Sequence, residues 1–465
     1  MTKNSNNSAP GAPQDDIASP PGLLGRVREF IYFAAPHPNA DIALAGSIAL
    51  LSGITGKAYN TYTGAGLNQY LLLLASTGMG KEAAASGISK LLTAIMATVP
   101  AGGDFKGPAL VSSAGLTKWL DKKPSVVSII GECGYLLNRL SSRRANLNDM
   151  MLKQALLDLY SKSSAGSVVD PMAYSDRDKQ TGVIISPALT LLGESVPGIV
   201  YEALDESMVL SGLLPRFMVI EAKGQRSPFQ ESPALKPDPA LVQSLADLCA
   251  QCLTLNAYNN VHVVPADDEA KAKFREFGQW VTDQINAHSS EALKELWNRA
   301  HLKALKLASL CAVGINPHAP VVTINETMWA TNMVVEQTLR LIEKFDNGET
   351  GTEAGNEAKQ LRKMRDVIRE YVKAETGKYE KSGCTFDMHR DHIFTHKYLF
   401  NRLANLPTFK LDRAGASKSI ERAIRLLEEA GEIGRVTQPT MMAKYQKASK
   451  AYGIHNEGEF MKNGD

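Results

Sequence analysis

Apolar positions change their period several times along this chain, and each change marks an element. Leu71 to Leu74 form an unbroken apolar run, the length of a strand buried on both faces. A glycine turn follows. Ile88, Leu91, Leu92 and Ile95 then recur at helical spacing, which predicts a helix packed by one face. Upstream, residues 22–35 and 40–54 carry the helical period. Downstream, as far as about Ala222, short apolar runs alternate with helical ones. The strands read at 70–75, 126–130, 183–186 with 189–192, and 217–221. That alternation predicts an α/β fold with a mainly parallel sheet. Pro187 inside the third segment predicts an edge or broken strand.

The rest of the chain is helical or polar. A Pro/Ser/Gln-rich linker at 225–239 closes the α/β core, taken as residues 22–224 with its helical lead-in. Residues 240–345 form a helical domain with helices at 270–288, 293–313 and 326–345, and Trp280, Trp297 and Trp329 as packing anchors. A Gly/Glu-rich linker at 347–356 leads to residues 357–437. There, helices at 358–374, around 397–404 and at 417–430, with a short strand at 432–436, predict a winged helix. Residues 1–21, rich in Pro, Ser and Asn, read as a disordered tail, and 438–465 as a second tail.

The turn between the first strand and its helix carries the chemistry. Ala75-Ser76-Thr77-Gly78-Met79-Gly80-Lys81-Glu82 has the layout of a phosphate-binding P-loop. In such a loop, backbone N–H groups cradle a polyphosphate and a lysine reaches the β- and γ-phosphates. Two positions depart from the usual pattern. Ala75 replaces the first glycine, and Glu82 stands where a Mg²⁺-binding hydroxyl is expected. The apolar run 126–130 ends in Gly131-Glu132, a Walker B-like strand whose Asp is replaced by glycine. Glu132 remains, placed to polarise an attacking water. Glu82 and Glu132 are the candidate metal ligands, with Glu82 standing in for the missing Asp. The bland alternative is that metal binding has decayed. Gly193-Glu194-Ser195 ends another strand with polar groups, where a γ-phosphate sensor would lie. Gly53-Ile-Thr-Gly56-Lys57 is a decoy that ends a helix. Arg299, Lys303 and Lys306 share a helix face, a weaker candidate for contact with the nucleotide.

Charge adds a second theme. Net charge is only +2, but residues 361–450 hold 19 Lys+Arg against 11 Asp+Glu, a surplus of eight. Lys418, Arg422 and Arg425, at i, i+4 and i+7, share a face of the third winged-helix helix and are candidates for duplex DNA contact. Arg139, Arg143, Arg144, Arg177 and Lys179 lie in polar loops that could line a channel for single-stranded DNA. Five scattered cysteines exclude a disulfide framework and point to a reducing cytoplasm. The C-x-x-C pair Cys249/Cys252 has no second pair and reads as buried apolar residues; Cys384, His389, His392 and His396, spaced compatibly with metal ligation but in no standard zinc pattern, read as ordinary polar positions. The apolar run 42–51 is too short to span a membrane.

These landmarks, in this order, resemble the replication proteins of phages, prophages and mobile elements that carry a RecA-like P-loop ATPase of the primase-helicase type. The residues that carry the likeness are Asn68-Gln69-Tyr70 before the loop strand, the P-loop itself, Gly212-Leu-Leu-Pro-Arg216-Phe217, Leu296 to Gly314, and Val321 to Trp329. It covers roughly residues 22–345. The resemblance implies hydrolysis of ATP with Mg²⁺, coupled to DNA in a homo-oligomeric ring such as a hexamer, working with other replication proteins. On that basis Lys81, Glu132 and Arg216 take the phosphate, catalytic-carboxylate and arginine-finger roles. The alternative is an origin-binding initiator or helicase loader that binds ATP as a switch and hydrolyses little.

Overall fold

The computed structural model describes residues 20–142, 145–171, 182–203, 206–231, 235–288, 290–346, 354–374, 379–410, 412 and 414–455. The chain is mixed α/β and divides into two compact units, Met1–Glu343 and Lys344–Asp465.

The first unit is organised by a four-stranded sheet. Its strands run in the order Ser125–Ile130, Ala188–Ser195, Tyr70–Leu74 and Phe217–Glu221, and all are parallel. Tyr70–Leu74 and Ala188–Ser195 are buried at every position, which is why the first reads as a continuous apolar run. Ala188–Ser195 is therefore central and not an edge strand, while the break expected at Pro187 is present between Ile184–Ile185 and Ala188–Ser195. The proline precedes the ladder, whose first donor is the Ala188 N–H to Pro124 O at 2.7 Å, so its missing N–H removes no bond. Ile184–Ile185 leaves this sheet and pairs antiparallel with Val168–Val169.

Helices cover the sheet. Glu82–Met96 buries Ile88, Leu91, Leu92 and Ile95, as their spacing requires. Ala40–Thr55 is buried continuously from Ile42 to Thr55 and touches Val127 at Gly53, where a Cβ would come within 2.6 Å of the valine side chain. Among the described residues no helix is long and apolar enough to cross a membrane. The helices Pro239–Ala257, Asp268–Ala287, Glu291–Asn298 and Ala300–Ile315 do not form a body of their own. His262–Val264 pairs in parallel with Tyr59–Thr61, and Gly22–Phe33 packs on Ala300–Ile315, so core and helical region make one unit. Trp280 and Trp297 meet edge to face within it, 5.1 Å apart.

The second unit packs helices Ala354–Lys373, His396–Leu403 and Ala416–Glu429 around Met364, Ile368, Tyr371, Leu399, Ile420 and Leu427. Its antiparallel sheet runs Ile433–Val436, Ala451–Ile454, Ile393–Thr395. The central strand comes from the stretch read as a tail. Gln438–Tyr445 is also helical, so the described part of 438–465 is integral to the unit.

Candidate functional site

The loop after Tyr70–Leu74 lies at the carboxyl edge of the sheet, between neighbours on both sides. Leu74 is in register with Ser195 and Glu221. Ala75 still behaves as strand, donating its N–H to Ser195 O at 3.0 Å, and is fully buried. Its φ is not in the left-handed region, so alanine is as good as glycine at this position. Gly78 and Gly80 differ, with φ of 84° and 80°. A Cβ on Gly80 would also lie 3.1 Å from His37 O. Met79 is buried, and its N–H closes a turn onto Ser76 O at 3.1 Å. Among the described residues, the N–H groups of Thr77, Gly78, Gly80 and Lys81 donate to no backbone carbonyl. Free donors on glycines of left-handed φ, at the start of a 15-residue helix, make a cradle for an anion.

Three strands bring charge to this cradle. Lys81 follows the loop, Glu132 follows Ser125–Ile130, and Glu194 lies in the strand between them. Lys81 Nζ is 4.0 Å from Glu132 Oε1, and the two side chains are 18% and 64% exposed. Glu194 is 3% exposed, and its Oε1 has no hydrogen-bond partner among the described residues. Burial pushes its pKa up to about 7; Glu82 and, more weakly, Glu132 push the same way, while Lys81 and the Ala85 N–H oppose. Glu82 is exposed at the first position of the helix. A Cβ on Gly131 would meet nothing within 4 Å, so an aspartate would fit there; glycine removes a charge where there is room for one. Among the described residues no three His, Cys, Asp or Glu side chains group to hold a metal. A divalent ion at Glu82 and Glu132 would have to complete its shell from ligand oxygens and water.

Three basic candidates lie at the other end of the sheet. Phe217 is in register with Tyr70, so Arg216 precedes the amino end of its strand, about 16 Å from the loop at 3.3 Å per residue. Its Nη1 donates to Gly212 O at 2.5 Å, and the guanidinium lies over the Tyr160 ring at 5.9 Å. Burial, then Arg299, lowers its pKa. Lys303 Nζ donates to Phe217 O at 2.6 Å, and Lys306 Nζ to Asn68 Oδ1 at 2.9 Å and Asn68 O at 3.1 Å. Both lysines are buried, and burial lowers each to about 7. They cap strand carbonyls at the amino edge and do not reach the loop, contrary to the contact their helical spacing suggested.

The other candidates separate as well. Lys418 and Arg425 are exposed on Ala416–Glu429. Arg422 turns inward, with Nη2 donating to Asp412 Oδ2 at 2.8 Å and Gln360 Oε1 at 3.1 Å, and Nε 3.1 Å from Glu357 Oε1. It braces two helices, so the three cations do not present one free face. Arg143, Arg144, Arg177 and Lys179 lie outside the described residues. Lys57 of the decoy is buried and donates to Asn259 Oδ1 at 2.9 Å. His389 stacks on Tyr379 at 4.3 Å and bonds Tyr371 O, and Cys249, Cys252 and Cys384 are buried free thiols, so these positions pack the core.

No protein-family model matches the chain, and no curated protein matches it.

Two residues at the loop had no signal of their own in the sequence. Arg226 Nη1 is 3.8 Å from where a Gly78 Cβ would stand, and His37 lies against Gly80. Both come from segments read as connections, which the fold brings back to the loop.

Proposed function

We propose that this chain is a Mg²⁺-dependent P-loop ATPase with a RecA-like core, acting on DNA in the replication of a phage or mobile element as a helicase-like oligomer. The observation that carries this reading is the cradle itself. Gly78 and Gly80 take left-handed φ between a buried parallel strand and a helix, and Lys81 stands 4.0 Å from Glu132 at the same sheet edge. The sheet order supports it. The chain first moves to one side of the loop strand, to Ser125–Ile130, and later adds Phe217–Glu221 on the other. A crevice at such a switch point is where open parallel sheets bind ligands.

In this reading the polyphosphate of ATP accepts from the free N–H groups of the loop, and Lys81 neutralises its distal charge. Glu132, exposed at its strand end, orients the attacking water. Glu194, half-protonated near neutral pH, can donate a hydrogen bond to a phosphate oxygen and so sense its presence. The unsatisfied, buried Glu194 Oε1 fits a site completed by a ligand. Mg²⁺, held by Glu82 and Glu132 with phosphate oxygens, would supply charge neutralisation. Arg216, about 16 Å from the loop by strand register, could serve as a finger only in trans, to a neighbour in an oligomer. The second unit is read as a winged helix that binds duplex DNA through Lys418 and Arg425 on Ala416–Glu429.

A nucleotide-switched initiator or loader is the second reading, favoured by the exposed Glu82 and the carboxylate missing at Gly131. ATP hydrolysis measured with and without single-stranded DNA separates the two. Turnover that rises with DNA is the result expected for a motor. Tight ATP and duplex binding without turnover would select the switch, and absence of ATP binding would sink both.

A further inference from the structure

The chain does not leave the site after Phe217–Glu221. Residues 223–230 run back as a strap along residues 36–41. The Lys223 N–H donates to Asp41 Oδ2 at 2.9 Å and Asn39 Nδ2 to Lys223 O at 3.1 Å. Further along, the Gln230 N–H donates to Pro36 O at 2.8 Å, and Phe229 meets the His37 ring edge-on at 5.7 Å. His37 Nδ1 donates to Ser227 O at 2.9 Å, which leaves Nε2 as the acceptor for Arg226 Nη2 at 2.5 Å. The imidazole tautomer is thus fixed by its two partners, and it holds the guanidinium over Gly78, with Nη1 3.8 Å from a Cβ placed there. The same His37 touches Gly80 through its carbonyl, so strap, turn and loop interlock. Among the described residues no carboxylate pairs with Arg226. Beside it, a groove of about 460 Å³ runs from His37 and Gly80 along the helix past Ala83 and Ser86, room for the organic part of a nucleotide.

Here three independent features converge on an anion: loop N–H groups without a backbone acceptor, a buried carboxyl oxygen, Glu194 Oε1, without a partner, and a guanidinium oriented by a histidine. We propose that Arg226 is a second phosphate-binding cation of the loop, delivered in cis by this strap and aimed by His37 at the polyphosphate of a nucleoside triphosphate. The inference rests on the nucleotide reading of the loop given above. A guanidinium suits this task better than a second lysine, because its planar fork engages two phosphate oxygens at once.

The test is calorimetric titration of the full chain with ATP and, separately, with inorganic tripolyphosphate, both with Mg²⁺. Arg226→Ala, Arg226→Lys, His37→Phe and Lys81→Ala are compared with wild type. Arg226 is exposed, so its replacement leaves the core intact. Arg226→Ala is expected to weaken both ligands by about tenfold to a hundredfold, the value of a charge-assisted hydrogen bond. Arg226→Lys should recover part of the loss, and His37→Phe, which keeps a ring but removes the acceptor, should show a smaller loss of the same kind. Unchanged affinities in Arg226→Ala, while Lys81→Ala loses binding, would overturn the proposal and leave the nucleotide reading standing. Loss for ATP alone would overturn it too, because Arg226 would then be reading the nucleoside. Failure of wild type to bind either ligand would remove the reading and the inference together.

Discussion

Lys81 Nζ and Glu132 Oε1 stand 4.0 Å apart although their strands are not neighbours. The strand between them, Ala188–Ser195, ends just beneath with the buried carboxyl of Glu194. A cation, an exposed carboxylate and a buried carboxyl whose pKa is raised to about 7 thus share one sheet edge, each in a different environment. Separated environments allow separated roles.

Glu132→Gln tests the exposed carboxylate. It keeps the shape and loses the charge that would orient water. Turnover should fall by about 10²–10⁴, the usual range for a lost general-base function, and by more than the affinity for Mg²⁺-ATP, which the lost metal ligand also weakens. An equal fall in affinity and turnover would assign Glu132 to binding.

Glu82 and Gly131 form a second pair of linked positions, one gaining a carboxylate and the other lacking it. If Glu82 serves the metal, Glu82→Ala should abolish the Mg²⁺ dependence of ATP affinity. Adding Gly131→Asp to Glu82→Ser, for which the structure has room, should restore it. Mg²⁺ dependence that survives Glu82→Ala would refute the compensation.

Glu194 makes stability depend on pH. Its pKa of about 7 in the folded chain exceeds the ordinary 4.5, so the folded state holds this proton more tightly than the unfolded state does. The stabilisation is full below about pH 4.5 and is lost as pH rises through 7. Glu194→Gln removes the titration. The variant should therefore gain on wild type between pH 5 and pH 8 by about 2–3 kcal/mol, most of the free energy that separates a pKa of about 7 from the ordinary 4.5. Urea denaturation of both proteins at the two pH values gives the comparison, and an identical difference at both would contradict it.

Arg422 and its helix neighbours should part company. Losing Arg422 leaves Asp412 and Glu357 without their cation, so Arg422→Ala should destabilise the second unit by about 1–3 kcal/mol. Lys418→Ala with Arg425→Ala should leave the melting temperature nearly unchanged. If both cations touch phosphate, that double variant should flatten the salt dependence of duplex binding by roughly 1.8 log units per log unit of salt. An unaltered slope would exclude this helix face as the DNA contact.

Much of this organisation is legible in the sequence, because strand and helix periods are local. The loop strand and Phe217–Glu221 lie where the apolar pattern put them, within a residue, and the helix after the loop buries the four positions the pattern marked. Pairing that spans long separations is not legible. Ala451–Ile454 is four residues long, contains a glycine, and becomes a strand only because Ile433–Val436 and Ile393–Thr395 flank it. Lys303 and Lys306 read as a polar helix face, since nothing nearby announces that distant strand carbonyls accept from them. Arg422 read as a surface cation for the same reason: Asp412 and Glu357 flank it only in the folded chain. Likewise, Arg226 sits in a segment with the composition of a linker, and only the hydrogen bonds of residues 36–41 turn it into a strap.

The most direct test of the central claim is ATP binding and Mg²⁺-dependent phosphate release, measured together for wild type and Lys81→Ala. Wild type is expected to bind ATP, and Lys81→Ala to lose the binding and any turnover, with its melting temperature retained because Lys81 is not among the buried residues. ATP binding that persists undiminished without the Lys81 ammonium would contradict it.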